Sequence, residues 1–259
     1  MPAMTQSLPL DKPWCLTWRF WLTLWAVVAV VQAALLMNGA ALDSHAYRTV
    51  RWFFGTQEKF QPESYLAATA TQPGDKSFYQ TSSSPLGGKV YKRTDTWWEV
   101  FKALGETFFI VLAAIAMGLY HRRNWWAALS IAAATAAAGA LSTLVRATAG
   151  RYRPVAPQAG DAESTWFFFR GLTGDGANLS WPSGHATAAF ALAAALAYLS
   201  PRGRWLFLVI AAGTAASRVV MLAHFPADAI FGAALGFTIG WLVTEWLSRV
   251  ADRREGLRV

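Results

Sequence analysis

Between Ser217 and Asp228 the chain reads Ser-Arg-Val-Val-Met-Leu-Ala-His-Phe-Pro-Ala-Asp, setting Arg218, His224 and Asp228 within eleven residues of otherwise apolar sequence. Charged and titratable groups at membrane depth are costly, so such a cluster marks a functional site whose partners lie elsewhere in the chain. Two other stretches supply them. Pro182-Ser183-Gly184-His185 closes a polar loop and opens an apolar run at Ala186. Its backbone N–H groups then fall at a helix N-terminus, where they suit an anion. Arg146 to Pro154 places Arg146, Arg151 and Arg153 directly after a long uncharged run. Four arginines, two histidines, one carboxylate and a cradle of amides form an inventory for phosphate chemistry.

His224 and Asp228 stand four apart across Pro226, which fits the first turn of a helix because proline's missing N–H is not needed there. In that geometry Asp228 can fix the tautomer of His224 so that one ring nitrogen presents a lone pair as nucleophile. A capping aspartate beside a buried histidine would look the same, and the upstream arginine and the Pro-Ser-Gly-His stretch are what favour chemistry. Gly184 permits close backbone approach, and Ser183 adds a hydroxyl donor to the same anion.

The order Arg146-x6-Arg153-Pro154, Pro182-Ser183-Gly184-His185, Ser217-Arg218-x5-His224-x3-Asp228 resembles the three-part signature of the type-2 phosphatidic acid phosphatase superfamily. These are membrane lipid phosphatases that share their site with vanadium haloperoxidases. The resemblance covers roughly residues 146 to 228 and departs at its first position, where lysine is usual and Arg146 stands; arginine keeps the charge and can grip phosphate bidentately. It implies that His224 is transiently phosphorylated, that His185 protonates the leaving oxygen, and that Asp228 orients His224. Arg146, Arg153 and Arg218, with Ser183 and Gly184, would hold the phosphoryl oxygens, over which the transition-state charge is spread. Arg151 and Tyr152 fall between the fixed positions and receive no catalytic role. No carboxylate cluster accompanies the motifs, so neither a metal nor another cofactor is expected, and the arginines take the place of cations.

The elements that position these residues follow from composition. With 54% hydrophobic and 15% charged residues and 14 tryptophans, the chain reads as an all-α, polytopic membrane helix bundle. About six spans are expected, near 18–37, 100–120, 125–145, 185–199, 205–223 and 226–247. Residues 1–16 would be a cytoplasmic tail, 17–248 a single membrane-embedded domain, and 249–259 a second cytoplasmic tail. Within the domain, 41–99 reads as a long extracytoplasmic loop, in which Ala46 to Phe60 suits an interfacial or surface helix, and 146–185 as a catalytic loop. In that loop Trp166-Phe-Phe-Phe-Arg170 suits either an entrance for acyl or prenyl chains or packing on the bundle. Gly232, Gly236 and Gly240, at a four-residue period, read as a packing seam.

The net charge of +8 comes from basic residues at the ends of apolar runs and forms no stripe, which disfavours nucleic acid as a partner. The first apolar run lacks a cleavage pattern and reads as a retained anchor, and the lone Cys15 excludes an intrachain disulfide. Arginines in His121-Arg-Arg-Asn, in Pro201-Arg-Gly-Arg and in the C-terminal tail alternate with the motif loops. By the positive-inside tendency the termini are cytoplasmic and the catalytic face is extracytoplasmic, as for a protein of a bacterial inner (plasma) membrane.

The expected function is removal of a terminal phosphate from a lipid phosphomonoester or pyrophosphate through a phosphohistidine. Its partners would be that lipid and the bilayer. Phosphatidic acid, phosphatidylglycerol phosphate, undecaprenyl pyrophosphate and a lipid A phosphate fit the motifs alike, and no oligomeric state is implied. The alternatives are a lipid phosphotransferase using the same intermediate and a non-catalytic anion-binding, lipid-binding or transport protein. Multiple spans disfavour a vanadate-dependent haloperoxidase.

Overall fold

The computed structural model describes residues 17–54, 89–120, 125–151, 153, 179–221 and 223–256. Seven α-helices account for nearly all of them: α1 Trp18–Phe54, α2 Lys89–Ala103, α3 Thr107–Tyr120, α4 Trp125–Ala149, α5 Gly184–Leu199, α6 Arg204–Val220 and α7 Pro226–Gly256. A 3-10 turn, Pro201–Gly203, joins α5 to α6, and no strand occurs among the described residues.

Among the described residues, four stretches are long and apolar enough to cross a membrane: Trp18–Leu36, Trp125–Ala149, Pro201–Val220 and Pro226–Arg254. Thr96–Ala103 and Thr107–Tyr120 pass the same test together, and they meet at a bend of 58°. At 16 residues, α5 is shorter than a usual span, and it is enclosed by its neighbours. Large apolar side chains such as Leu22, Val30, Ile115, Leu119, Val209 and Leu242 point outward, as expected for surfaces solvated by lipid.

Several boundaries differ from the sequence expectation: α4 runs on to Ala149 and α7 to Gly256, so 146–149 and 249–256 are helix, and two differences are larger. The first helix does not stop near Met37 but runs on to Phe54, so residues 41–54 are helix and not loop. Gly39, just past Met37, is the weakest helix former at the crossing, and one glycine costs a helix about 1 kcal/mol, which packing can override. The span expected over 100–120 is an elbow. Phe101 forms one anchor, with its carbonyl accepting the Thr214 hydroxyl at 2.7 Å. Gly105 lies so close to α5 and α6 that a Cβ there would meet Thr214 Cγ2 at 2.7 Å and the His185 carbonyl at 3.2 Å. Residues 1–16, 55–88, Pro154 and Trp166 to Arg170 lie outside the described residues.

At the centre α5 packs on α7 along the glycine period. A Cβ on Gly232 would meet the Ser183 carbonyl at 2.7 Å, one on Gly240 the Ala191 carbonyl at 2.5 Å, and one on Gly236 would overlap the Thr187 carbonyl. The α5 side of this seam is small: Ser183, Thr187 and Ala191 face the three glycines, and Ala186 and Ala194 beside them are fully buried. Small residues let two backbones approach closely where no hydrophobic effect distinguishes helix from lipid. The seam ties the helix that begins at Gly184 to the helix that begins at Pro226.

Candidate active site

Five chain segments meet at one end of this seam. Arg146 lies in the last turn of α4 rather than in a loop, with Nε donating to the Ser142 carbonyl at 3.4 Å and Nη2 to Thr143 Oγ1 at 3.1 Å. Its guanidinium lies over the start of α5: a Cβ on Gly184 would stand 3.2 Å from Nη1, so glycine is what allows the approach. The chain leaves α4 at Gly150, whose φ of 64° is the left-handed conformation that closes many helices. That turn delivers Arg151 into the interior and leaves Arg153 half-buried.

Ser183 is the N-cap residue of α5, with extended backbone angles and no side-chain capping bond. Its N–H donates to the Asp228 carbonyl at 3.0 Å, and its own carbonyl accepts from Thr187 N and Thr187 Oγ1, both at 2.9 Å. The Ser183 hydroxyl is buried and has no partner among the described residues. Neither has Arg218 Nε at the end of α6, although the Arg218 carbonyl binds the N–H groups of Ala223 and His224 at 2.9 and 3.1 Å. Buried donors without partners are uncommon and call for a reason, which an oxyanion would supply. His185 occupies the first turn of α5, and the Arg153 charge acts on Arg146, His185, Arg218 and His224 alike.

His224 sits in the turn between α6 and α7 and is 2% exposed. Its Nδ1 is 3.6 Å from Asp228 Oδ2 and 3.5 Å from Ser180 Oγ. The separation from Asp228 exceeds a good hydrogen bond, and contacts of this kind commonly shorten when substrate is bound. Burial is the main influence on its proton affinity and, with Arg153, outweighs the Asp228 carboxylate, so its pKa falls to about 4. His224 is therefore neutral near pH 7, and with Nδ1 turned to Asp228 and Ser180 the free lone pair belongs to Nε2.

Asp228, fully buried in the first turn of α7, accepts three hydrogen bonds: Arg151 Nη1 at 2.5 Å to Oδ1, Ser180 Oγ at 2.6 Å to Oδ2, and Phe225 N at 2.9 Å to Oδ2. Arg151 is equally buried, lies over the Phe225 ring at 4.3 Å, and donates from Nη2 to Asp43 Oδ2 at 2.6 Å. Asp43, on α1, also accepts the Ala227 N–H at 2.9 Å through Oδ1. Burial raises the Asp43 pKa to about 6 against the opposing pull of Arg151.

The residues singled out by sequence, Arg146, Arg153, Ser183, Gly184, His185, Arg218, His224 and Asp228, thus gather around the starts of α5 and α7. The sequence reading passed over Arg151, Asp43 and Ser180. Arg151 had one visible signal, a third arginine inside the first motif. Asp43 had none, because its partners are distant in sequence. Among the described residues no group of three or more His, Cys, Asp or Glu is arranged to hold a metal ion.

A model of the PAP2 superfamily matches residues 127–252, which takes in α4 to α7 and all of these residues except Asp43. The lipid A 1-phosphatase of Rhizobium etli is 36% identical over 119 residues, 46% of this chain and 47% of that protein. The decaprenylphosphoryl-5-phosphoribose phosphatase of Mycobacterium tuberculosis is 33% identical over 140 residues, 54% of this chain and 70% of that protein. The match to the rhizobial protein spans about half its length. A transmembrane PAP2-type phosphatidylglycerolphosphate phosphatase from Bacillus subtilis, known from its crystal structure, superposes with a TM-score of 0.54 at 19% identity, covering 89% of this chain and 96% of that one. That likeness is one of fold.

Proposed function

The chain belongs to the PAP2 superfamily, and from that premise we propose that it is an integral-membrane lipid phosphate phosphatase working through a phosphohistidine on His224. The observation that carries the proposal is a neutral, buried histidine among arginines, with two buried donors, Ser183 Oγ and Arg218 Nε, lacking partners among the described residues. A phosphoryl group would take up those donors together with the Arg146 guanidinium and the amides at the start of α5.

In the proposed reaction His224 Nε2 attacks phosphorus in line with the lipid oxygen. The N–P bond forms as the P–O bond to the lipid breaks, and His185 gives its proton to the leaving oxygen. The substrate's own negative charge favours the protonated form of His185 that this step needs. Water then attacks phosphorus while His185, neutral after the first step, takes a proton from it; the O–P bond forms as the N–P bond breaks, the electron pair returns to Nε2, and inorganic phosphate leaves. Arg146, Arg153 and Arg218 offset the charge on the equatorial oxygens in both steps.

A lipid substrate is supported by the relatives, one named for lipid A and one for a decaprenylphosphoryl sugar phosphate. An apolar cleft of about 530 Å³ between α1 and α7, lined by Trp25, Val28, Trp181 and Phe231, also suits a hydrocarbon chain. The reading that the site faces the extracytoplasmic side of a bacterial inner membrane rests on Arg202 in the Pro201–Gly203 turn, Arg204 at the start of α6 and the arginines at the end of α7.

Solubilised protein, given phosphatidic acid, phosphatidylglycerol phosphate, undecaprenyl pyrophosphate and a lipid A phosphate, should release phosphate from at least one of them, with or without EDTA. Failure on all four would sink the phosphatase reading. Loss of turnover in EDTA, restored by Mg²⁺, would instead show that the arginines do not replace a metal.

Arg146 gives a second expected result. Arg146→Ala should lower kcat by about 10²- to 10³-fold, the usual effect of removing one charge-stabilising donor. Arg146→Lys should keep much of the activity, because charge matters more than the fork. Lysine behaving like alanine would show that the bidentate grip is essential, and alanine behaving like wild type would remove Arg146 from the site.

A further inference from the structure

We infer that α1 is a working part of the catalytic apparatus: Asp43, through Arg151, and Gln32 are positioning residues that hold the Ala227–Asp228 start of α7 so that Asp228 Oδ2 faces His224. The inference rests on the phosphatase reading for its kinetic test but concerns residues that reading does not use. Helix α1 also lies outside the region that matches the family.

Both backbone polar groups of Ala227 are held by side chains of α1. Its N–H donates to Asp43 Oδ1 at 2.9 Å, and its carbonyl accepts Gln32 Nε2 at 2.9 Å. Gln32 and Asp43 are eleven residues apart, about three helical turns, so they share one face of α1 and converge on one residue of α7. The same Gln32 accepts Trp181 Nε1 at 3.4 Å, which extends the hold to the residue two before Ser183.

The second connection is ionic. One guanidinium nitrogen of Arg151 goes to each of two carboxylates, Nη1 to Asp228 Oδ1 and Nη2 to Asp43 Oδ2, and all three side chains are fully buried. Arg151 occupies Oδ1 and thereby leaves Oδ2 as the oxygen available to Ser180, Phe225 N and the His224 ring. Two carboxylates against one guanidinium leave one unit of negative charge within the triad. That excess lies beside a ring that gains positive character when Nε2 is phosphorylated. A buried ion cluster is weak evidence of stabilisation, and registration of one element against another is its best-supported use.

The test is a double-mutant cycle on the full-length protein in detergent, using the lipid with the highest turnover. Asp43→Asn should lower kcat by about 10- to 100-fold with KM within about twofold of wild type, because misplacing a catalytic group by a fraction of an ångström is felt in the chemical step. In an Asp228→Asn background the same substitution should add less than about twofold, since it acts through the carboxylate already removed. Asp43→Glu should recover part of the loss. Full activity in Asp43→Asn, or equal losses in both backgrounds, would overturn the inference. If Asp43→Asn does not fold, Gln32→Met supplies the same split of kcat from KM, with a smaller loss.

A readout independent of turnover separates this inference from the phosphatase reading. Protein labelled with ¹⁵N-histidine should show His224, assigned by its absence in His224→Ala, with the proton on Nδ1 in wild type and shared between tautomers in Asp43→Asn. A wild type that hydrolyses none of the lipids yet shows this change would refute the phosphatase reading and keep the positioning role. An unchanged His224 ring in Asp43→Asn refutes the positioning role.

Discussion

His224→Ala is expected to lose activity by about 10⁴-fold or more while still binding lipid phosphate, because removing the proposed covalent nucleophile deletes the reaction path and leaves the arginines and the α5 N-terminus in place. Rapid quench with ³²P-labelled substrate, handled in alkali to preserve a phosphoramidate bond, should trap label on wild type and none on this variant. His185→Ala should behave differently. With a good leaving group it should still become labelled, since such a group needs little proton assistance, and then lose the label slowly because water lacks its base. Asp228→Asn should fall between, keeping the ring but not the carboxylate proposed to set its tautomer. Label persisting in His224→Ala, or near wild-type turnover there, would rule His224 out as the nucleophile.

The second large effect is structural. Gly236→Ala places a methyl group against the Thr187 backbone carbonyl, which cannot swing aside as a side-chain end would. Overpacking a tight core commonly costs about 1–3 kcal/mol, and a backbone obstacle belongs at the upper end of that range or beyond. Relief requires α5 to move off α7, and α5 carries Ser183, Gly184 and His185 with it. The folded fraction should therefore also have lower kcat. Gly139→Ala on α4 is the matched control, since nothing lies within 4 Å of a Cβ there, and alanine should be neutral or stabilising by up to about 1 kcal/mol. Thermal unfolding in one detergent compares the two. A melting temperature for Gly236→Ala equal to wild type would mean that the seam is looser than the structure has it.

The sequence made much of this legible. Composition identified a helical membrane protein, the apolar runs located α4 to α7 to within a few residues at most ends, and the glycine period marked the seam. The motifs singled out residues that the fold does bring together. The parts that stayed hidden depend on partners far away in the chain. Asp43 at residue 43 is an ordinary acid after an apolar run until Arg151 and Ala227, 108 and 184 positions away, are seen beside it. Arg151 and Arg153 are alike on paper, and only the turn at Gly150 sends one inward to Asp228 while the other stays half-buried. The elbow at Leu104 to Glu106 has no proline, and its cause is the close approach of Gly105 to Thr214 and His185.

The glycine seam bears on how a lipid gets in and out. Two helices joined backbone to backbone leave few rotamers to reshuffle, so the start of α5 with His185 and the start of α7 with Asp228 should breathe together as one stiff body. Any opening wide enough for a hydrocarbon tail is then expected where contacts are made by side chains around empty space. The elbow borders such a space, a cavity of about 280 Å³ walled by Leu104, Phe109, Leu112, Leu192 and Phe207. Traffic at the elbow could then proceed on its own clock while the chemistry keeps its alignment.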